Sequence, residues 1–248
     1  MPKRSYHDRP VKVTAKLAGP LGGPQPPYLD SLCELALAGR AKSIQESSGG
    51  HRHDYPLVPR GQPVPREALG KLPIPIKRIH VAGLPVPRAS SPIIPSPTSD
   101  HAAYYTSAFP LGRSDQLTEK ERTKISPGGG RFKSHRLPLR LRVVPRVVWF
   151  AVLNDRPGRL RSLLKREIRF LGKKSSQGYC QVTEWLVEPI EEDYSWYAGC
   201  DDLGVVLMRP LPAEMDHPPG LCGYRRTFGG CVGPYWQRDF WTEILEPC

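Results

Sequence analysis

Alternation of apolar and polar residues marks the first element of the chain. The segment "VKVTAKLAG", Val11 to Gly19, places apolar side chains at every second position, which predicts a β-strand with one buried face. That face would consist of Val11, Val13, Ala15 and Leu17. A turn containing Gly and Pro follows the strand and separates it from a segment with a different period.

The next segment, "YLDSLCELALAGR", has helical spacing, with Leu29, Leu32, Cys33, Ala36 and Leu37 on one face. Ser31 and Glu34 are interpreted as a capping box, and Gly39 as the residue that ends the helix. A polar loop containing "HRHDY" comes next. The segment "IPIKRIHVAG", from Ile74, then predicts a second strand despite its early proline.

The region from Leu84 to Leu139 has no sustained period and ends in the basic segment "GGGRFKSHRLPLRLR". An insertion of this length is usually functional or disordered. The segment "VVPRVVWFAVLND", Val143 to Asp155, predicts a buried strand. An amphipathic helix, "RPGRLRSLLKREIRFLG", follows and is expected to end at Gly172. The segment "YCQVTEWLVEPI" predicts a last strand.

The order of elements predicts an α+β protein with a βαββαβ core. This is the ferredoxin-like, or RRM-like, arrangement, in which two helices cover one face of a four-stranded antiparallel sheet. We expect residues 1–190 to form this core, with residues 85–140 as an inserted thumb-like arm. Residues 191–248 would form a C-terminal extension.

Charge is distributed unevenly along the chain. The net charge is +12 and the pI is near 9.6, which favours a polyanionic partner. Basic residues concentrate in the insertion and in the second helix, whereas residues 184–248 contain twelve acids and four arginines. A basic face that only aids solubility is the alternative interpretation. The pattern suits a protein with a nucleic-acid surface on one side.

Six cysteines lie far apart, without a C-x-x-C pair, and no secretory signal is recognised. Reduced thiols in a cytoplasmic protein are therefore expected. A zinc site would require Cys222, Cys231 and His217 to converge, at a spacing that fits no common finger. No apolar run is long enough to span a membrane. We expect neither a cofactor nor a metal.

The segment "GKKSSQGYCQV", Gly172 to Val182, contains the residue types of a phosphate cradle. It is not a P-loop, because its lysines follow the first glycine and because it joins a helix to a strand rather than a strand to a helix. The helix dipole disfavours anions at such a position, which Lys173 and Lys174 would offset. An ordinary turn after a glycine helix stop is the structural alternative.

This order, with "LKREIRFLGKKSSQGYCQVTEWLVEP" from Leu164 to Pro189, resembles the RAMP superfamily of CRISPR-associated RNA-binding proteins. In particular, the chain is similar to the small subunit that caps the 5′ handle of the guide RNA (crRNA) in class 1 effector complexes, most like the type IV form. The segments "YLDSLCELALAGR", "VVLMRPLP" and "GPYWQRDFW" support the resemblance. It departs from the family at Cys180, where the family often has glycine.

The resemblance implies a non-enzymatic prokaryotic subunit for antiviral defence that binds crRNA. Its implied partners are backbone RAMP subunits, a large subunit and, within the complex, target DNA. The implied RNA contacts in the loop are Gly172, Lys173, Lys174, Ser175, Ser176, Gln177 and Gly178. In the arm, Arg113, Lys124, Arg131, Lys133, Arg136 and Arg140 would contact phosphates. Tyr104, Tyr105, Phe109 and Phe132 would stack on bases or, alternatively, pack the arm onto the core.

Two other functions stay open at this point. One branch of the family cuts the guide precursor without a metal, and His101, Tyr104, Lys133 and His135 have suitable side chains for that reaction. The other is general basic RNA binding. Metal-ligand types occur in "HRHDY", His51 to Tyr55, and at Asp201 and Asp202, but without a metal-site spacing. The tryptophans at 185, 196, 236 and 241 are candidates for a protein contact, with core packing as the alternative.

Overall fold

The computed structural model describes residues 8–23, 25–47, 71–107, 135–172, 178–200 and 204–248. The protein has mixed α and β structure, as predicted. Its helices are α1 (Leu29–Ser47) and α2 (Pro157–Glu167), with a short 3-10 helix at Arg238–Phe240. Its strands are β1 (Arg9–Leu17), β2 (Leu21–Gly22), β3 (Arg78–Val81), β4 (Leu84–Pro87), β5 (Ser99–Ser107), β6 (His135–Val143), β7 (Arg146–Leu153), β8 (Val182–Pro189), β9 (Tyr197–Cys200), β10 (Gly204–Leu207), β11 (Leu211–Pro212), β12 (Leu221–Cys222), β13 (Tyr224–Gly230) and β14 (Trp241–Pro247).

The central sheet has the order β7-β1-β8, with β1 antiparallel to both neighbours. Val11, Val13 and Ala15 are fully buried on one face of β1, as the alternation predicts. Helices α1 and α2 pack on that face, and their apolar residues join the sheet in one hydrophobic core. The indole rings of Trp149 and Trp185 stack in this core with centroids 5.8 Å apart.

Beyond β7, the sheet continues as an irregular edge. Bridges join Ile76 to Leu153, Ala89 to Ala151, and Ile93 to Val148. Between the first two of these bridges the chain leaves the sheet as the β3–β4 hairpin. The segment predicted as a strand from Ile74 therefore contains the bridge at Ile76 and then β3, which ends where Ala82 and Gly83 turn the chain with positive φ angles of 50° and 72°.

Each of the two helices ends at a different residue from the one predicted. Helix α1 begins at Leu29, so Ser31 lies inside it and cannot be an N-cap, and Gly39 does not end it. The helix continues through Gly39 because one interior glycine costs only about 1 kcal/mol relative to alanine. Helix α2 begins with proline at its first turn and ends at Glu167, short of Gly172, because the residues after Ile168 adopt an extended conformation.

The C-terminal extension packs around a second hydrophobic core. Leu84 and Val86 of the β3–β4 hairpin share this core with Trp196, Leu211 and Phe240, among others. Trp185 and Trp196 are buried, so core packing accounts for these two of the four tryptophans. Trp236 is 69% exposed and remains available at the surface. In the described part of the chain, neither helix combines the length and apolarity needed to cross a membrane.

A buried polar network joins the extension to the central sheet. Arg209 donates hydrogen bonds from Nη1 to the carbonyl oxygens of Pro87 (2.9 Å) and Ala89 (2.8 Å). Its Nη2 donates to the Cys231 carbonyl and the Tyr235 hydroxyl oxygen, each at 2.8 Å. The Tyr235 hydroxyl donates in turn to Asp30 Oδ2 at 2.6 Å. The network thus ties α1, the sheet edge and the extension together.

Glu34 makes stability depend on pH. Burial raises the pKa of Glu34 to about 7, with Asp30 adding to this effect and Arg78, 2.9 Å away, opposing it. Between the ordinary value of 4.5 and about 7, the folded chain binds more protons than the unfolded chain, so the free energy of unfolding falls as pH rises through this window. The Glu34 side chain is a quarter exposed, so solvent screens part of this effect. We therefore expect the free energy of unfolding to fall by about 2 kcal/mol across the window.

Urea unfolding at pH 5 and pH 8 measures this dependence. Glu34→Gln keeps an oxygen for Arg78. It should raise the free energy of unfolding at pH 8 and so make the values at pH 5 and pH 8 nearly equal. Glu188→Gln, at an exposed glutamate of β8, serves as the control and should preserve the difference. An equal pH dependence in wild type and Glu34→Gln would contradict the assignment.

Candidate nucleic-acid interface

Strands β5 and β6 pair along their whole length as an antiparallel ribbon, in register from Ser99 opposite Val143 to Ser107 opposite His135. This ribbon, which overlaps the predicted insertion, is called the arm from here on. Tyr104 lies opposite Pro138, so Arg136 and Arg140 share its face of the arm. The Arg136 guanidinium sits over the Tyr104 ring, 4.1 Å from its centroid. Tyr104 is 58% exposed, so this face presents an aromatic ring beside a cation.

Arg140 is the second cation on this face, and it is paired with Asp100. Its Nε donates to Asp100 Oδ1 at 2.9 Å, and its Nη2 donates to Oδ2. The hydrogen bond from Arg140 holds the pKa of Asp100 below its ordinary value. The Arg140 side chain is 65% exposed, so a phosphate can reach it. The pair lowers the net charge of the arm, and phosphate binding at Arg140 would compete with Asp100.

The glycine loop connects two extended segments. Leu171 N donates to the Cys180 carbonyl and Val182 N to the Arg169 carbonyl, each at 2.9 Å. The expectation that this loop directly follows a helix was wrong, because α2 ends at Glu167. The helix dipole therefore does not act directly on the loop.

Left-handed backbone conformations flank the loop. Gly172 and Gly178 have φ angles of 109° and 79°, which favour glycine. Cys180 has φ 60°, a left-handed conformation that glycine adopts most readily. Its buried sulfur accepts a hydrogen bond from Gly22 N at 3.1 Å. The thiol thus fastens the loop to another part of the chain.

The segment from Gly19 to Gly23 brings the loop and the arm together. On the loop side, Cys180 N donates to the Pro20 carbonyl at 3.0 Å, and a Cβ on Gly19 would lie 2.7 Å from the Gly178 oxygen. On the arm side, Leu21 pairs with Arg142, and Gly23 N donates to the Arg140 carbonyl at 3.0 Å. Two regions far apart in the sequence are therefore hydrogen-bonded to the same connecting segment.

The sequence interpretation had not assigned a role to this connecting segment or to Arg142. Arg142 Nη2 donates to the Gly23 carbonyl at 3.3 Å. The usable signal was the composition "GPLGG" directly after an alternating strand, since glycines next to a strand often mark a close approach of another backbone.

Several predicted contacts lie outside the described residues. In the arm these are Phe109, Arg113, Lys124, Arg131, Phe132 and Lys133. In the loop they are Lys173, Lys174, Ser175, Ser176 and Gln177. Tyr105 lies on β5 opposite Leu137. Of the predicted RNA contacts, Tyr104, Arg136, Arg140, Gly172 and Gly178 have described surroundings.

The two histidines proposed for RNA cleavage lie at opposite ends of the arm. His101 pairs with Leu141 and His135 with Ser107, six positions apart along each strand, which corresponds to about 20 Å. His101 Nδ1 lies 3.2 Å from the Ser99 hydroxyl, and Tyr104 stacks with Arg136. The register therefore does not place these two residues side by side on the arm.

Metal-ligand side chains are engaged separately. His217 Nδ1 lies 2.9 Å from the Tyr197 hydroxyl, and the Cys222 sulfur lies 3.5 Å from the Val205 carbonyl. Cys231 is buried in the second core. Groups of three or more metal-ligand side chains do not occur among the described residues. His51, His53, Asp201 and Asp202 lie outside that part of the chain.

No protein-family model matches the chain, and no curated protein matches it.

Proposed function

We propose that this protein is a single-stranded RNA-binding protein, and that the surface joining the glycine loop to the arm is its binding site. The observation that carries the proposal is the contact of both regions with the segment from Gly19 to Gly23. Glycines that allow close backbone approach, exposed arginines and an exposed tyrosine are the means by which proteins bind phosphates and stack on splayed bases.

The fold supports a more specific proposal. The strand order β8-β1-β7, the bridged edge beyond β7 and the two helices on one face are the arrangement expected of a ferredoxin-like fold. Together with the resemblance to the RAMP superfamily, this favours a crRNA 5′-handle-binding subunit of a type IV-like CRISPR effector complex. Its role is to nucleate assembly, without catalysis, in the cytoplasm.

The exposed aromatic residues of the extension are proposed as the protein contact. Phe228, on β13, is 64% exposed, and Trp236 lies in the segment before the 3-10 helix. Exposed aromatics commonly anchor interfaces. Backbone RAMP subunits and a large subunit are the proposed partners, with target DNA bound in the assembled complex.

Co-expression with the neighbouring genes and a repeat-spacer array tests the specific role. Purification through a tag on this chain should recover uniform guides that share one 5′ repeat remnant, together with partner subunits at a fixed ratio. Recovery of random cellular RNA, or of none, would contradict handle binding. Precursor RNA shortened to a 2′,3′-cyclic end by this chain alone, and left intact by His135→Ala, would instead establish the ribonuclease alternative.

Affinity for the recovered handle tests the site. Two variants are compared with wild type: Lys173→Ala with Lys174→Ala, and Arg131→Glu with Lys133→Glu and Arg136→Glu. We expect each variant to bind the handle at least tenfold more weakly, because each lost phosphate contact costs several-fold in affinity at physiological salt. Arg225→Ala with Arg226→Ala, on strand β13 of the C-terminal extension, is the control. Unchanged binding by both site variants would reject the assignment, and equal wild-type affinity for a scrambled RNA would indicate a general binder.

A further inference from the structure

A basic groove runs between α2 and β8, with a cavity of about 170 Å³. Arg161 and Lys165 are four residues apart on α2 and so share one helix face. Arg169, in the extended segment after the helix, lines the same groove. All three side chains are exposed, and the sequence analysis had not assigned them a ligand. The opposite wall consists of residues 182–185.

The charges in this groove favour an anion. Its acidic side chain, Glu184, is paired with Lys16 at 2.8 Å. The hydrogen bond from Lys16 lowers the pKa of Glu184, and Arg161 and Lys165 add to this effect. Since Lys16 offsets Glu184, the three cations leave the groove strongly positive. The Arg161 Nε donates to the Trp185 carbonyl at 3.0 Å, which fixes one of these cations over the groove.

The groove is joined to the proposed RNA site through adjacent backbone segments. The segment 169–171, which lines the groove at Arg169, pairs with residues 180–182. Residues 180–182 contact residues 18–22, which include most of the connecting segment. That segment pairs in turn with Leu141 and Arg142 of β6. The segment that contains Arg169 is therefore three spacings between neighbouring extended segments away from β6, which amounts to about 15 Å. Arg169 thus lies across two intervening backbone segments from the base of the arm.

We infer that this groove is a second binding segment for the same single-stranded RNA, holding backbone phosphates that continue past the glycine loop. The inference rests on the proposed function. The groove suits a phosphate chain better than a protein segment. Of its apolar residues, Ile168 and Trp185 are buried, which leaves the half-buried Val182 as the apolar side chain that an anchor could contact. Binding here would be independent of base sequence, since it uses charge alone.

A matched pair of variants tests the groove. Lys165→Gln with Arg169→Gln removes two charges that line it. Arg159→Gln with Arg166→Gln removes two charges from the same region of the chain, but these side chains line a separate cavity beside α1. Affinities are measured for the handle alone, for the handle extended by spacer nucleotides, and for oligouridylate of the extended length, each over a series of salt concentrations.

The groove variant should bind the extended RNA and the oligouridylate about tenfold more weakly, with a salt slope reduced by about 1.4, and the handle alone as wild type does. The control variant should leave all three affinities unchanged. Equal losses in the two variants, or loss of a co-purified protein at unchanged RNA affinity, would overturn the inference. If wild type fails to prefer the handle over scrambled RNA but the groove variant still weakens oligouridylate binding, handle recognition is wrong and the groove stands.

Discussion

Replacing Arg209 with methionine is expected to lower the free energy of unfolding by about 3–5 kcal/mol, the usual cost of removing one partner of a buried ionic network. Arg209 is fully buried, and its Nη1 lies 3.8 Å from Asp30 Oδ1. The variant would leave Asp30, three carbonyl oxygens and the Tyr235 hydroxyl without their cation. Burial raises the pKa of Tyr235 well above its usual value, so its hydroxyl stays protonated and keeps donating to Asp30.

Urea unfolding measures this loss, with Arg225→Met as the control. Arg225 pairs with Glu246 at 2.7 Å on the surface, where an ion pair contributes at most about 1 kcal/mol. Adding Asp30→Asn to Arg209→Met removes the remaining buried charge and should recover part of the stability. A loss below about 1 kcal/mol in Arg209→Met would show that the network does not hold the extension to the core.

Gly19→Ala is expected to lower both stability and RNA affinity. The added Cβ would lie 2.7 Å from the Gly178 oxygen, a backbone atom, so the loop has to move. Overpacking of this kind typically costs about 1–3 kcal/mol in stability. Because Gly178 ends the glycine loop, we expect the displacement to weaken handle binding roughly tenfold, the effect of losing one hydrogen bond of about 1.4 kcal/mol.

Gly204→Ala separates these two effects. Its Cβ would lie 2.9 Å from the Gly220 oxygen in the C-terminal extension, and its φ is also positive, so it should destabilise the chain comparably. It lies away from the loop and should leave RNA affinity unchanged. Filter binding with the handle RNA, under conditions where both variants remain folded, gives the comparison. Equal affinity of Gly19→Ala and wild type would remove the loop from the site.

Local patterns predicted the elements that contribute one regular face to the core. The alternation at Val11, Val13 and Ala15 and the helical spacing of Leu29, Leu32 and Cys33 correspond to buried positions. Their period is set by the backbone itself, so it can be read without knowledge of the partner element. Helix ends were predicted poorly, because residues after Ile168 pair with residues near Cys180 instead of continuing the helix.

The candidate site was predicted in parts but not as an assembly. Composition indicated the basic arm and the glycine loop separately. Their junction depends on hydrogen bonds between Gly22 and Cys180, 158 residues apart, and no local pattern encodes such a pairing. Likewise, the segments "VVLMRPLP" and "GPYWQRDFW" contribute to packing through the hydrogen bond from Arg209 to Tyr235, which no local pattern predicts.

The link between Asp30 and Tyr235 spans 205 positions, which has a consequence for the order of folding during synthesis. The ribosome releases Asp30 and α1 long before it has synthesised Arg209 and Tyr235. During that time the Asp30 carboxylate, which is buried in the folded protein, has neither of these partners. Burying it early would be costly. The α1 end of the first core should therefore stay open to water until the extension has been made, which makes this region the expected binding site for chaperones on the growing chain.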